Sequence, residues 1–392
     1  MGAAPPIYLD HHATTPVDPR VVEAMAPYWS VDFGNAASHG HVFGWRAEAA
    51  VEDARARIAA AIGAREPREI VLTSGATESN NLALKGVLRG ARVSRDHVVT
   101  VATEHRAVLD PCAALQREGF GVTVLPVDGA GLVAPEAVAA AIGPRTALVS
   151  IMAANNEIGV LQPLEAIGRI CRERGVLFHS DAAQAAGRVP LDVEATGVDL
   201  LSLSAHKLYG PKGVGALYVR SRRPRVRLEP LVHGGGHERG LRAGTLPVPL
   251  IVGFARAFEL ALAEQAAEAE RLARLREQLW QRLAEGLPRV HRNGDVAHQL
   301  PGTLSVSFDG VEAAAVLPAL PDVALSTGSA CSSAEPGPSH VLVALGLSPE
   351  RAAGTIRIGL GRGNDEAQVE RAAERIVAAV RAERAARAPA VA

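Results

Sequence analysis

The sequence predicts an α/β protein: a mainly parallel sheet covered by helices, followed by a smaller α+β unit. Three observations predict it. Short β-branched or aliphatic runs alternate with helix-like segments through the first two-thirds of the chain, the pattern left by strand–helix–strand crossovers. Residues 254–285 contain neither Gly nor Pro and carry Leu272, Leu275, Leu279 and Leu283 at helical spacing, which reads as one long helix leading into a second unit. With 392 residues, 48% of them hydrophobic, the chain has enough apolar surface for a large core divided over two domains.

Taken in order, "EIVLT" (69–73), "HVVTVA" (97–102), "VTVLPV" (122–127), "ALVSIM" (147–152), "VLFHSD" (176–181) and "VDLLSLS" (198–204) read as buried strands. Helix-like stretches at 77–88, 106–118, 135–142 and 163–174 separate them. "GVGALYV" (213–219) follows the last strand with no helix between, which predicts an antiparallel member. In sheets of this kind ligands lie beyond the carboxyl ends of the strands, where "TSGATES", "TEH", "NNE", "DAAQ" and "SAHK" all fall. After the long helix, "GTLSVSFDG" (302–310) and "GTIRIGLG" (354–361) read as strands. A helix near 339–346 and another from about 365 complete the second unit.

Composition excludes several classes of function. The formal charge of −1, from 41 basic and 42 acidic residues, favours neither a nucleic-acid nor a membrane-surface partner. The start, "MGAAPPIYLDHHATTP", has no basic region followed by an apolar one, and no run approaches the roughly 20 apolar residues of a membrane span. Three cysteines, Cys112, Cys171 and Cys331, are too few for a disulfide framework or a Cys-based zinc site. The expected setting is reducing and cytoplasmic. His233 and His237 in "HGGGHE" have a spacing that binds zinc on a helix, but three intervening glycines argue against a helix, so no metal is expected.

Only three side chains offer a primary amine: Lys85, Lys207 and Lys212. Lys85 lies on a helical run and Lys212 in a Pro-Gly turn. Lys207 directly follows a strand, in "SLSAHKLYGPKG", where its amine projects into the ligand crevice. Burial there favours the neutral amine that Schiff-base chemistry needs. Asp181 ends another strand, well placed to hold a pyridinium nitrogen protonated, so the pair points to pyridoxal phosphate (PLP). "TSGATESNN" follows a third strand and opens a helix, which offers a phosphate its first-turn N–H groups; a plain helix cap accounts for it equally well. His105, just past a fourth strand, has the flat ring and the titration range to stack on a cofactor or move protons. Cys112 and Cys171 lie in helical segments and read as core. Cys331 is different: it stands in "STGSACSSAEPGPS", among residues with almost no side chain.

The segments "YLDHHATTPVDPRV", "FGNAASHGH", "LTSGATESNNLALKG", "TEHRAVLDPC", "NNEIGVLQP", "HSDAAQAAGRVPLDV", "SLSAHKLYGPKGVGALYVR", "HGGGHERGLRAGT" and "STGSACSSA" together resemble cysteine desulfurases of the NifS/IscS type, class V enzymes of PLP fold-type I. The resemblance runs in order from Tyr8 to about Gly363. It implies a large domain with a mainly parallel seven-stranded sheet and a smaller α+β C-terminal domain: an N-terminal arm over 1–15 packing with the small domain, a PLP-binding domain over 16–257, and a domain over 258–392 carrying the cysteine loop. It also implies roles. Lys207 carries PLP covalently, Asp181 pairs with the pyridine nitrogen, His105 stacks over the ring and Gln184 bonds the phenolate oxygen. Ala76, Thr77, Ser204 and His206 hold the phosphate, and Thr245 reaches the phosphate of the neighbouring subunit of a homodimer. Asn156 and Arg357 bind the substrate carboxylate, a task that suits a planar guanidinium.

Cys331 falls at the family's persulfide-forming cysteine. The implied reaction converts L-cysteine to L-alanine, with sulfur passing to Cys331 and then to an acceptor such as an iron–sulfur scaffold or a tRNA-thiolation protein. The alternatives are a selenocysteine lyase, another class V lyase or aminotransferase, or a sulfur-relay docking protein without activity. The loop cysteine separates the first reading from a transaminase, which has no use for it.

Overall fold

The computed structural model describes residues 5–91, 95–222, 226–327 and 337–387. Cys331 therefore lies outside the described residues. The chain opens with a short strand β1 (Ile7–Tyr8) and enters the main sheet with β2 (Ile70–Thr73), β3 (His97–Val101), β4 (Gly121–Leu125) and β5 (Thr146–Ser150). β6 (Leu177–Asp181), β7 (Leu200–Ser204) and β8 (Gly215–Val219) complete it. Their order is β2-β8-β7-β6-β5-β3-β4. β8 is antiparallel to both neighbours, whereas β7, β6, β5, β3 and β4 pair in parallel.

This is the seven-stranded, mostly parallel sheet expected, with "GALYV" as its antiparallel member. The strands are nearly continuous aliphatic runs because both faces are covered. Val99, Val149, Phe178 and Leu201 face one apolar cluster, and Val98, Leu148, Leu200 and Leu217 face another under the helix Ala76–Ala91.

The helix Val248–Gly286 is 39 residues long. Its first half, with Phe254 and Phe258 stacked, belongs to the core of the main sheet. From Leu272 onward it packs in a separate cluster. There β10 (Thr303–Phe308) and β13 (Thr355–Gly359) form a four-stranded antiparallel sheet with β9 (Val290–Arg292) and β12 (Ser326–Thr327). The terminal helix Glu366–Arg387 covers it. β11 (Val323–Ala324) pairs with β1, so the N-terminal segment is strapped to this second cluster.

The longest helix not expected from the sequence is Val42–Ala61; short ones such as Pro19–Met25 were not expected either. Val42–Ala61 packs on the first half of the long helix through Ala47, Val51, Ala54 and Ile58. Three of its buried positions are alanine and one is glycine, so the periodicity has little contrast.

Candidate active site

A cavity of about 560 Å³ opens at the carboxyl ends of the parallel strands, within the usual range for small-molecule sites. Four of the chain segments that line it carry most of the expected side chains. β6 delivers Asp181, which is buried; its Oδ2 accepts from Asn80 Nδ2 at 2.6 Å and its Oδ1 from the Ala183 N–H at 2.9 Å. β7 ends at Ser204 and turns through Ala205–Lys207, so Lys207 reaches the same space. β2 turns into the helix Ala76–Ala91, bringing Ala76 and Thr77 to the cavity wall. β3 leads through Glu104 to His105, which caps the helix Arg106–Arg117.

The turn at residues 74–76 depends on glycine. Gly75 has φ +151°, a conformation L side chains rarely adopt. It lies so close to β8 that a Cβ on Gly215 would stand 2.6 Å from the Gly75 Cα and 2.4 Å from the Leu203 carbonyl oxygen. The close approach of strand and turn aims the amino end of the helix into the cavity, and first-turn N–H groups there have no intrahelical partner.

Hydrogen bonds fix several side-chain roles. His105 Nδ1 accepts from the Ala107 N–H at 3.0 Å, so the neutral ring carries its proton on Nε2. Gln184 Oε1 accepts from Arg188 and its Nε2 donates to the His12 carbonyl, which leaves its second amide hydrogen for the cavity. Lys207 Nζ donates to the carbonyls of His12 and Ala13 at 2.5 and 2.8 Å. His206 Nδ1 is 3.1 Å from Thr14 Oγ1. Burial first, then the cations Lys207, Lys212 and Arg188, push the His206 imidazole down to about 4, so the ring is neutral near pH 7. Glu104 is fully buried, and burial together with the Asp181 carboxylate holds it well above the usual carboxylate range; its Oε1 accepts from the Met152 N–H.

The structure thus gathers Lys207, His105, Asp181, Ala76, Thr77, Gln184, Ser204, His206 and Asn156 around one cavity. Two expected residues stand apart from its lining. Thr245 is exposed. Arg357 is fully buried in β13, donating to Asp10 Oδ1 at 2.7 Å, to Ser326 Oγ at 2.8 Å and to the Asn156 carbonyl at 3.2 Å. Cys112 and Cys171 are buried, and burial pushes each thiol up to about 12, as core cysteines should behave. Among the described residues no group of three or more His, Cys, Asp or Glu comes together to hold a metal ion, and no helix is long and apolar enough to cross a membrane.

Sequence reasoning missed the N-terminal arm as a wall of the site. His12, Ala13 and Thr14 line the cavity, and His12 Nε2 lies 2.6 Å from Thr303 Oγ1. It also missed Asn80, which holds Asp181. The available signal was a polar run, "DHHATT", flanked by apolar residues, and an Asn facing inward on an amphipathic helix.

A parallel sheet with a lysine, a buried carboxylate and a helix amino end at one crevice is the layout of a PLP enzyme. The Aminotransferase class-V family matches residues 7–372, and the chain belongs to that family. It is 57% identical over 376 residues to "Cysteine desulfurase IscS" of Anaeromyxobacter sp. (strain Fw109-5), covering 96% of this chain and 93% of that protein. It is 52% identical to the "Cysteine desulfurase" of Homo sapiens, covering 95% of this chain and 81% of the human one. A solved "NIFS-LIKE PROTEIN" superposes with a TM-score of 0.89 at 39% identity, over 95% of this chain and 98% of that chain. Within the class V enzymes the chain is a cysteine desulfurase, and its cofactor is pyridoxal 5′-phosphate.

Proposed function

We propose that the cavity holds PLP on Lys207 and that the chain converts L-cysteine to L-alanine by passing sulfur to Cys331. The convergence of the Lys207 amine and the Asp181 carboxylate on one cavity, from the ends of adjacent strands, carries the reading. The residues present fit the cofactor. Asp181 has its two oxygens oriented by Asn80 and Ala183, so it suits pairing with the pyridine nitrogen. Ala76, Thr77, Ser204 and His206 offer N–H, hydroxyl and imidazole groups to a phosphate at a helix amino end. The His105 ring suits stacking, and Gln184 has an amide hydrogen left for the phenolate oxygen.

When bound, PLP supplies an electron sink for breaking bonds at the substrate's carbons. Lys207 moves the Cα proton, with His105 Nε2 as the group that exchanges a proton with the substrate thiol. Asn156 and Arg357 hold the carboxylate. The Cys331 thiolate attacks the substrate sulfur and forms an S–S bond as Cβ–S breaks. The electron pair stays with Cβ, which takes a proton, so L-cysteine and a thiol become L-alanine and a persulfide with no outside oxidant.

The enzyme works as a homodimer in this reading. Trp29, Phe33 and Trp45 are 61%, 62% and 54% exposed, and they lie with Val31 and Phe43 in one sequence region, an apolar surface that a second copy would cover. Thr245, exposed and away from its own cavity, is then available to the neighbour's phosphate. The acceptor is a protein, an iron–sulfur scaffold or a tRNA-thiolation protein, that takes sulfur from Cys331; Gly337 and Pro338, six and seven positions later, are exposed. The domains divide as an arm over 1–15, a PLP-binding domain over 16–257 and a small domain over 258–392. Two apolar clusters along the long helix, one reaching Ala261 and the other starting at Leu272, support a division within that helix, a little beyond residue 257.

The test supplies L-cysteine with and without a reductant and measures alanine, sulfide and the mass of the Cys331 peptide. Alanine and a persulfide on Cys331 are expected. Borohydride should fix the cofactor on Lys207, and Lys207→Ala should abolish turnover. A Cys331→Ala variant that makes as much sulfide as the wild type would end the proposal.

A further inference from the structure

The stretch containing Cys331 lies between Thr327 and Gly337, and the residues at its two ends are tied to one small group of side chains. Before it, Ser326 pairs with Arg357 across β12 and β13. The Ser326 hydroxyl accepts from Arg357 Nη2 and donates to Asp10 Oδ1. After it, Ser339 Oγ donates to Glu157 Oε2 at 2.5 Å. Arg357 Nη1 closes the circle by donating to the carbonyl of Asn156, the residue before Glu157.

Ser339 also caps the short helix His340–Ala344, its oxygen accepting from the Val341 and Leu342 N–H groups. The helix is pinned to the active-site wall at a second point, where His340 Nε2 donates to the Glu104 carbonyl, next to His105, at 2.8 Å. Val341 and Leu342 pack with Ile158 and Val160.

A helix cap needs only the acceptor side of a serine hydroxyl. Nothing in the capping requires a carboxyl opposite it, and burying one is costly. Glu157 is nevertheless 4% exposed and takes the spare Ser339 proton. Burial raises it to about 7, against the lowering effects of Ser339, Arg357 and His105. Such a group is retained for what it holds.

We infer that Glu157 is a positioning residue for the sulfur-transfer step: its bond fixes where Ser339, eight positions after Cys331, meets the wall formed by Asn156 and His105. The inference rests on the reading that Cys331 receives the substrate sulfur. Glu157 acts through Ser339, while Lys207 and Asp181 act on the cofactor, so breaking the latch should slow transfer and leave the earlier steps intact.

The test uses holoenzyme and separates those two events. Cofactor absorbance after mixing with L-cysteine reports the first, and the mass of the Cys331 peptide during a single turnover reports the second. Ser339→Gly costs the helix cap little but removes the proton that Glu157 accepts. Glu157→Ala removes the carboxyl and leaves the cap. Both variants should bind cofactor and give the wild-type absorbance change, yet load Cys331 about tenfold more slowly, as losing one buried hydrogen bond implies. Ser339→Thr, which restores donor and cap together, should load Cys331 at the wild-type rate. Loading at the wild-type rate in both broken-latch variants overturns the inference. So does an equal loss of absorbance change and loading, which would mark a general collapse of the site. Alanine formation without any Cys331 persulfide in the wild type fails the underlying reading, and this inference with it.

Discussion

Asp10 Oδ1 and Arg357 Nη2 lie 2.7 Å apart, with the Arg357 side chain fully buried and that of Asp10 17% exposed. The guanidinium proposed to bind the substrate carboxylate is therefore already paired with a carboxylate of the N-terminal arm. A buried cation without an anion is expensive, so the pair stabilises the substrate-free site. An arriving substrate carboxylate must share or replace Asp10.

Asp10→Asn should therefore separate two effects. Folding stability should fall by roughly 1–3 kcal/mol, because a charged partner becomes a neutral one. The KM for L-cysteine should fall as well, since Arg357 no longer has a competing anion, while kcat stays near wild type. Denaturant unfolding and steady-state kinetics check both. A raised KM would mean that Asp10 orients Arg357 for the substrate and does not compete with it.

Asn80 defines a second dependence. Its Nδ2 donates to Asp181 Oδ2 at 2.6 Å, and both residues are buried. Asn80→Leu removes the donor and leaves a carboxylate oxygen unsatisfied, a penalty of about 1–3 kcal/mol. Expressed on the transition state, this lowers kcat by about tenfold to a hundredfold. PLP affinity should weaken in parallel, measured by cofactor release, with the fold retained by circular dichroism. An unchanged kcat would remove Asn80 from the support of Asp181.

The sheet was legible because buried parallel strands are written as short aliphatic runs. "VLFHSD" and "LLSLS" carry their polar residues at the carboxyl end, where Asp181 and Ser204 meet the cavity. The site was legible for the same reason: strand ends and the turns after them are local in sequence. What stayed hidden depends on contacts across great sequence distance. Nothing near Arg357 in "TIRIGLG" announces Asp10, 347 positions away, so the guanidinium read as open to substrate. The arm is similar, since the His12 carbonyl meets Lys207 across 195 positions. The long helix begins earlier than the sequence suggested. Pro249 falls in its first turn, where no N–H is needed, and Gly253 lies against Met25, whose Sδ would be 2.5 Å from an added Cβ.

The buried pair Arg55–Glu238 ties the helix Val42–Ala61 to the loop that leads to Thr245. Glu238 accepts from Arg55 Nη2 at 2.7 Å, from Arg55 Nη1 at 2.8 Å and from the Leu72 N–H at 2.7 Å. Glu238→Ala leaves the buried Arg55 cation with only the exposed Glu52 carboxylate, at 3.1 Å from its Nε, and breaking a buried pair costs about 3–5 kcal/mol. Equilibrium unfolding should register that loss. The loop ahead of Thr245 also loses its anchor, so in the proposed homodimer PLP should dissociate faster, followed by cofactor absorbance. A stability change below about 1 kcal/mol, the range of exposed pairs, would mean that solvent reaches Arg55.

Glu157 makes stability depend on pH. Its carboxyl is raised from an ordinary 4.5 to about 7, with burial the largest cause. The folded state thus holds a proton that the unfolded state releases. The contribution is fully present below about pH 4.5 and is lost as pH rises through about 7. Its full span is roughly 3 kcal/mol, from about 1.4 kcal/mol for each pH unit separating the two values. Glu157→Gln keeps the volume and an acceptor for Ser339 but cannot titrate. The variant should lie closest to, or below, the wild type in acid, and should gain on it steadily as pH rises through neutrality. Denaturant unfolding of both proteins across that interval measures the difference. A stability difference that stays flat with pH would assign Glu157 an ordinary carboxyl, hydrated despite its position.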